Sequence, residues 1–303
     1  MKPYKVVCFG ELLWDILPDK TLPGGAPMNV AYHLNRLAIA TTLISGIGND
    51  DDGKKLLDIL KQYHLNTDYI QTDTLHETGK VFAKAAANNE MKYDIVQPVA
   101  WDYIKVTPEQ QQLMQHSDKG YLVFGSLAAR NNETRKTILT LLSLMDSDRT
   151  FVLDINLRPP HYDKKIVGLL LQHCNILKLN ESELELLGEW YQLPANLEER
   201  LRALSNFFVI PTIITTMGDK GAVLLQDGTF YRHPGYHVTV ADTIGSGDAF
   251  LAGFLYSTIH KHGAANTLSF ACALGALVAS LPGGCPDYQL SQIAAVMNTT
   301  VQN

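Results

Sequence analysis

Cysteine is scarce in this chain of 303 residues: there are four, and no two of them are spaced as a pair. Cys8, Cys174, Cys272 and Cys285 stand far apart or within apolar runs, with no C-x-x-C spacing. This excludes a zinc ribbon and a disulfide framework, and makes reduced thiols in a cytoplasmic protein the expectation. Basic residues are also in deficit, 25 Lys and Arg against 31 Asp and Glu, for a net charge of −6. No basic footprint therefore points to nucleic acid or to an anionic membrane. Long hydrophobic runs are missing too. The longest, Leu268 to Leu281, is too short and too rich in Ala and Gly to span a bilayer. Lys2 and Lys5 lead into a short strand pattern and not into the apolar stretch of a signal peptide. What the chain does have is apolar content, 46% of its residues, with 18% charged. That supports one large α/β domain, or two smaller ones, with a sizeable core.

The glycine signals are selective. Gly46-x-Gly48 lacks the third glycine of a dinucleotide fingerprint, and Gly79-Lys80 lacks the upstream glycine and following Ser/Thr of a Walker A loop. Protein-kinase loop signatures are absent as well. Asp50-Asp51-Asp52 lacks the alternating spacing of a calcium loop and reads as the charged start of a helix. From Thr107 onward, strand patterns alternate with helical ones, which implies a parallel sheet with helices on both faces. Binding residues then belong at the carboxyl ends of the strands. Asp154 to Arg158 lies at one such end and Lys178 to Glu183 at another. The segment Tyr69 to Ile104 breaks the alternation. Val81 to Ala87 and Met91 to Val96 read as two strands joined by a turn at Asn88-Asn89-Glu90.

One stretch organises the rest: Asp242-Thr243-Ile244-Gly245-Ser246-Gly247-Asp248-Ala249-Phe250. It follows a β-branched run, Tyr236 to Val240, that reads as a strand, and opens a long apolar helix, Ala249 to His260. Two glycines flanking a serine at a helix entrance leave amides free to point at an anion. An aspartate follows in the first turn. Such a pairing suits phosphoryl transfer, with amides holding the phosphoryl oxygens and the carboxylate accepting the proton of an attacking hydroxyl. It equally describes an ordinary helix start with a dipole-favoured acid. Near the other end, Asp15 interrupts an apolar strand, either as an edge residue facing water or as a carboxylate for adjacent hydroxyls. The turn from Leu22 through Gly24-Gly25-Ala26-Pro27-Met28-Asn29 enters a helix expected over Met28 to Leu37. Asn180 followed by Glu183 is also the signature of a capping box.

The nonapeptide closely resembles the D-T-x-G-[AS]-G-D signature of the PfkB (ribokinase-like) carbohydrate kinases. Three further matches stand in the right order: Gly24 to Asn29 for G-G-x-P-x-N, Asp154 to Arg158 for D-x-N-x-R, and Asn180 to Glu183 for N-x-x-E. The first of these is most similar to the fructokinase-like branch. The resemblance covers nearly the whole chain. It implies a single kinase domain over 1–303, a ribokinase-like three-layer sandwich with a mostly parallel central sheet and a small β-sheet lid inserted at about 69–104. It implies an ATP-dependent sugar kinase acting on a primary hydroxyl, with fructose as the expected sugar. Ribokinase and 2-keto-3-deoxygluconate kinase activities are the alternatives within the class, and a non-catalytic sugar-binding regulator is the alternative outside it.

By the same resemblance, Asp248 is the general base and Gly245, Ser246 and Gly247 form the anion hole. Asp15, Gly24, Gly25 and Asn29 bind sugar hydroxyls, and Arg158 steadies the sugar or the phosphoryl group. Asn180, Thr216, Gly218, Gly221 and Gly284 lie along the nucleotide. Glu183 acts on Mg²⁺ through water, since that ion takes oxygen ligands and keeps part of its hydration shell. Asp242 and Ile244 stand near a monovalent cation, K⁺ by analogy. Cys272 takes the place of a family Asn near the adenine. Small residues Gly275 and Ala276 either make room for a flat base or let the helix pack closely. A homodimer through the lid sheet is the expected assembly, and neither nucleic acid nor membrane is an expected partner.

Overall fold

The computed structural model describes residues 5–85, 91–115, 120–144 and 149–299. The turn expected at Asn88-Asn89-Glu90 lies outside them. Two compact units emerge, Met1–Asn35 with Ala40–Arg149, and Arg36–Ile39 with Thr150–Asn303.

In the first unit, β1 (Val6–Phe9) lies between β4 (Thr41–Gly48) and β8 (Tyr121–Gly125), parallel to both, and β5 (Ile70–Asp73) extends the sheet beside β4. β1 and β4 are buried along their full length. A strand covered on both faces has no reason to alternate, which is why VVCF and TTLISGIG read as continuous runs. The glycines of β4 are spacers: a Cβ on Gly46 would come within 2.9 Å of the Ala100 carbonyl. Helices α2 (Asp51–Gln62), α3 (Pro108–Gln115) and α4 (Asn132–Ser143) connect this framework.

A second, four-stranded sheet belongs to the same unit. Its order is β3 (Thr21–Gly24), β2 (Leu13–Ile16), β6 (Gly79–Ala85), β7 (Met91–Ile95). Its outer pairs are antiparallel, whereas β2 and β6 run parallel. Two of its strands therefore come from residues 13–24, ahead of the segment at 69–104, while β5 from within that segment joins the large sheet. The anomalous stretch was legible because its own hairpin alternates. The share given by β2 and β3 was not, because strand pairing across about sixty residues leaves no local trace. α1 (Ala26–Arg36) follows β3 directly, two residues earlier than expected, with Pro27 at its start. A proline is tolerated there because the first turn needs no amide donor.

The second unit carries β9 (Thr150–Asp154), β10 (Ile176–Asn180) and β11 (Thr212–Thr216) in parallel, then β12 (Ala222–Gln226) and β13 (Thr229–His233) antiparallel. α5 (Lys164–Leu171), α6 (Glu181–Tyr191) and α7 (Leu197–Phe208) make the crossovers. α8 (Ser246–Ile259) and α9 (Ala264–Ala279) pack on each other, and α10 (Leu290–Met297) closes the unit. α8 is apolar on nearly every face and is buried accordingly. Gly253 makes the approach close: a Cβ there would stand 3.1 Å from Ala271 Cα. Each Leu or Phe that the pair buries contributes on the order of 2 kcal/mol. The strand expected over Tyr236 to Val240 does not form. Pro234 after β13 has no amide to continue a ladder, and Gly235 at φ 87 turns the chain away. Among the described residues, no helix is long and apolar enough to cross a membrane.

Candidate active site

The strand ends place the chemistry. α8 begins at the nonapeptide with Gly245 as its N-cap, in the left-handed conformation at φ 73. A Cβ at that position would sit 2.5 Å from Gly284 Cα, so two glycines meet backbone to backbone. Asp242 fixes the approach to this turn. Its Oδ1 accepts the Ile244 amide at 3.0 Å and its Oδ2 the Gly283 amide at 3.3 Å. Ser246 is tied in as well: its amide donates to the Thr243 carbonyl at 3.3 Å and its hydroxyl to the Gly275 carbonyl at 3.1 Å. The amide of Ala249 returns to the Gly245 carbonyl, which starts the helical ladder. The amide of Gly247 falls in the first turn, where a helix supplies no acceptor of its own. Ser246 thus serves the turn with its amide, and the free-donor character expected of the loop centres on its glycines.

A cavity of about 380 Å³ opens at this helix mouth. Ser246 and Gly247 line it together with Thr216, Gly218 and Gly221, from the end of β11 and the turn that follows. Residues assigned separately to the anion hole and to the nucleotide therefore line one cavity. Phe250, Cys272, Gly275 and Ala276 give the lining an apolar part. Burial pushes the Cys272 thiol up to about 12, so it is a neutral, apolar surface at ordinary pH. The strandless segment after β13 adds Tyr236, held by a 2.8 Å hydrogen bond between its hydroxyl and that of Ser269.

Beneath the mouth lies a buried ionic cluster. Asp248 is the third residue of α8 and is buried, as are Asp154 at the end of β9 and Lys178 in β10. Both oxygens of Asp154 accept from Lys178 Nζ, at 3.0 and 2.8 Å. Burial pushes the lysine down, but Asp154, Asp248 and Glu183 outweigh it and hold the ammonium above its ordinary range. Asn180 is the N-cap of α6, accepting the Glu183 amide at 2.9 Å, while Glu183 Oε2 accepts the Asn180 amide at 2.8 Å. This is a complete capping box. The other oxygen, Oε1, accepts the Leu157 amide at 2.7 Å, and so joins the end of β9 to the start of α6. Burial, reinforced by Asp154, raises the Glu183 carboxyl above its ordinary value despite these donors. The residues of the N-x-x-E motif are thus also the residues of the cap. Arg158, by contrast, is exposed in the loop after β9.

The remaining residues assigned to the sugar belong to the first unit. Asp15 is half-buried on β2, between Leu22 of β3 and Val81 of β6. Its carboxylate occupies the space that a Cβ on Gly24 would need. Gly25 crosses the Glu11 carbonyl just as closely, and Asn29 is buried in the first turn of α1. Asp15 is therefore neither a water-facing edge residue nor fully buried. Among the described residues, no group of three or more His, Cys, Asp or Glu is placed to hold a metal ion. Glu183 has both oxygens engaged by amides, so a contact to a metal through water suits it better than direct ligation. Sequence reasoning passed over Lys178, the element that ties the cluster together. A lysine inside the buried strand ILKLN was the available signal, since an unpaired charge there is not tolerated.

Known proteins fit this geometry. The profile of the pfkB family carbohydrate kinases matches residues 6–289. The fructokinase of Escherichia coli is 27% identical over 263 residues, covering 83% of each chain. A sugar kinase of Pyrococcus horikoshii, solved in complex with ATP, is 25% identical at a TM-score of 0.79, over 92% of this chain and 94% of that one. The fructokinase of Vibrio cholerae O395, solved with fructose, ADP and calcium ion, shares the fold at a TM-score of 0.83 and 23% identity, over 97% and 99% of the two chains. With the profile running through every motif that meets at the helix mouth, the chain belongs to the pfkB family of carbohydrate kinases.

Proposed function

We propose that this sugar kinase transfers the γ-phosphate of ATP to a primary hydroxyl of fructose. The single observation that carries the reading is the cavity at the α8 mouth, which brings Thr216, Gly218 and Gly221 to Ser246 and Gly247, with Asp248 next in the same turn. Nucleotide lies in the cavity with its base against the Cys272, Gly275 and Ala276 wall. Its terminal phosphate meets the amides at Gly245 and Gly247 and the positive end of α8. Gly284 supports Gly245 from behind, and Asn180 stands at the head of α6. Asp15, Gly24, Gly25 and Asn29 hold the sugar hydroxyls, and Arg158 swings over the transferring group. Asp248 accepts the proton of the primary hydroxyl as its oxygen attacks phosphorus, ADP departs, and the positive helix end offsets the charge building on the phosphoryl oxygens. Glu183 would hold Mg²⁺ through water, and the ion, when bound with the nucleotide, would supply charge neutralisation at the phosphates. K⁺ beside Asp242 and the Ile244 carbonyl would hold the loop in one conformation. Fructose is favoured over other sugars by the fructokinase relatives, and the Gly24 to Asn29 turn supports that branch.

The test is sugar-dependent ADP release across fructose, ribose, tagatose and 2-keto-3-deoxygluconate. The expected outcome is a kcat/KM for fructose at least tenfold above the rest, with Asp248→Asn lowering kcat by roughly 10²-fold or more. Preference for ribose or the keto acid would reassign the substrate. Near-wild-type turnover in a folded Asp248→Asn enzyme would remove the base, and sugar binding without ADP release would make the protein a sensor.

A further inference from the structure

The proposed reaction assigns no part to Lys178, although it is the buried cation nearest the helix mouth. The ammonium has three protons to place. Two contacts go to the two oxygens of Asp154. On its other side stands α8: a Cβ on Gly247 would lie 3.1 Å from Nζ and 3.8 Å from Cε. The absent side chain at 247 is thus the space the lysine occupies. Asp248 follows immediately, and its charge is one of those that favour the ammonium. Three buried carboxylates, Asp154, Glu183 and Asp248, share the field of this cation. A charge so placed is costly to bury unless its geometry is fixed from several sides. Here a strand-end carboxylate fixes it from one side and a helix turn from the other.

We infer that Lys178, tethered by Asp154 and lodged in the space left by Gly247, is a positioning residue that sets the Ser246–Asp248 turn and the Asp248 carboxylate for phosphoryl transfer. It acts through Asp248 and does not itself touch the substrate. The inference deepens the kinase reading above and rests on it. It explains why an ion pair crosses from β9 to β10 beneath an anion site, and why position 247 is glycine although its φ is ordinary. A displacement of the reacting groups by about 1 Å is enough to lower a rate by roughly 10²-fold.

The experiment is a double-mutant cycle on kcat with Lys178→Met and Asp248→Asn, using fructose, or whichever sugar the screen selects, and ATP. Lys178→Met is expected to lower kcat by on the order of 10²-fold with both KM values within about threefold of wild type. In the Asp248→Asn background the same substitution is expected to change the residual turnover by less than about threefold, because the group it positions is gone. A purely structural ion pair would instead lower turnover by the same factor in both backgrounds, and that result overturns the inference. So does a folded Lys178→Met enzyme with wild-type kcat. If Lys178→Met does not fold, Asp154→Asn loosens the tether while keeping the lysine. A loss of about tenfold, again confined to the Asp248 background, supports the inference, and a background-independent loss overturns it. The two readings fail separately: full turnover in Asp248→Asn removes the base, whereas an inactive Asp248→Asn beside a fully active Lys178→Met removes only the role of the lysine.

Discussion

Gly245 and Gly218 show how differently two glycines with positive φ depend on their surroundings. Gly245 has φ 73 and a Cβ there would stand 2.5 Å from Gly284 Cα, which is backbone and has little room to move. Gly218 has φ 59 and nothing within 4 Å of the added atom. Alanine at Gly218 therefore meets only the left-handed penalty, about 1 kcal/mol. Alanine at Gly245 adds overpacking and should destabilise by on the order of 3 kcal/mol. Thermal unfolding of the two variants checks this. Equal shifts in Tm would mean that the Gly245–Gly284 contact relaxes freely. Gly245→Ala is also expected to reduce kcat by at least about tenfold, because the turn it distorts carries the proposed phosphate amides.

At the scale of elements, Asp50 accounts for much of the acidic run at 50–52. It is the N-cap of α2, with Oδ1 accepting the Gly53 amide at 2.7 Å and the Thr78 hydroxyl at 2.6 Å. Its Oδ2 accepts the Thr78 amide at 2.8 Å, one residue before β6. One carboxylate thus joins a helix start to the entry of the small sheet. Asp51 and Asp52 pair with Lys54, Lys55 and Lys80 around it. Partial burial raises the Asp50 carboxyl, but the Thr78 and Gly53 hydrogen bonds and the charge of Lys80 outweigh it and hold the group below the usual carboxylate range. A carboxyl held low in the folded state stabilises above its unfolded-state value, about 4, and loses that contribution as pH falls through the folded value. Asp50→Ala is expected to lower stability near pH 7 by about 2 kcal/mol, from a lost cap and an unpaired amide. The gap from wild type should shrink below about pH 4. Urea unfolding at pH 7 and below pH 4 tests both points, and a gap that widens in acid would contradict the assignment.

For the whole molecule, Asp15, Gly24, Gly25 and Asn29, proposed to hold the sugar, belong to one compact unit and the cavity to the other, so each ligand should leave its own footprint. A ligand at 100 times its Kd stabilises the state that binds it by about 2.7 kcal/mol. Hydrogen exchange on the full chain is expected to slow over residues 216–221 and the α8–α9 pair with ADP, and over residues 13–29 with fructose. ADP protection confined to residues 13–29 would reverse the two assignments.

Much of this was legible in the order of residues. The helix mouth, the strand ends and the Gly24 to Asn29 turn are local: a few consecutive side chains determine whether amides are capped, whether a helix starts, and whether a backbone can approach closely. The alternation of strands and helices beyond residue 107 followed from apolar period alone. Tertiary structure decided what depends on pairing between distant segments. It recruited β2 and β3 into the small sheet, dissolved the strand expected at 236–240, and left Arg158 exposed. It gave the cap of Asn180 and Glu183, itself legible locally, its grip on the Leu157 amide. It also set Lys178 between Asp154 and Gly247, in a space visible only once α8 lies against β10. A linear chain records the chemistry of each group, but a buried charge acquires its role from the neighbours that folding brings within a few ångströms.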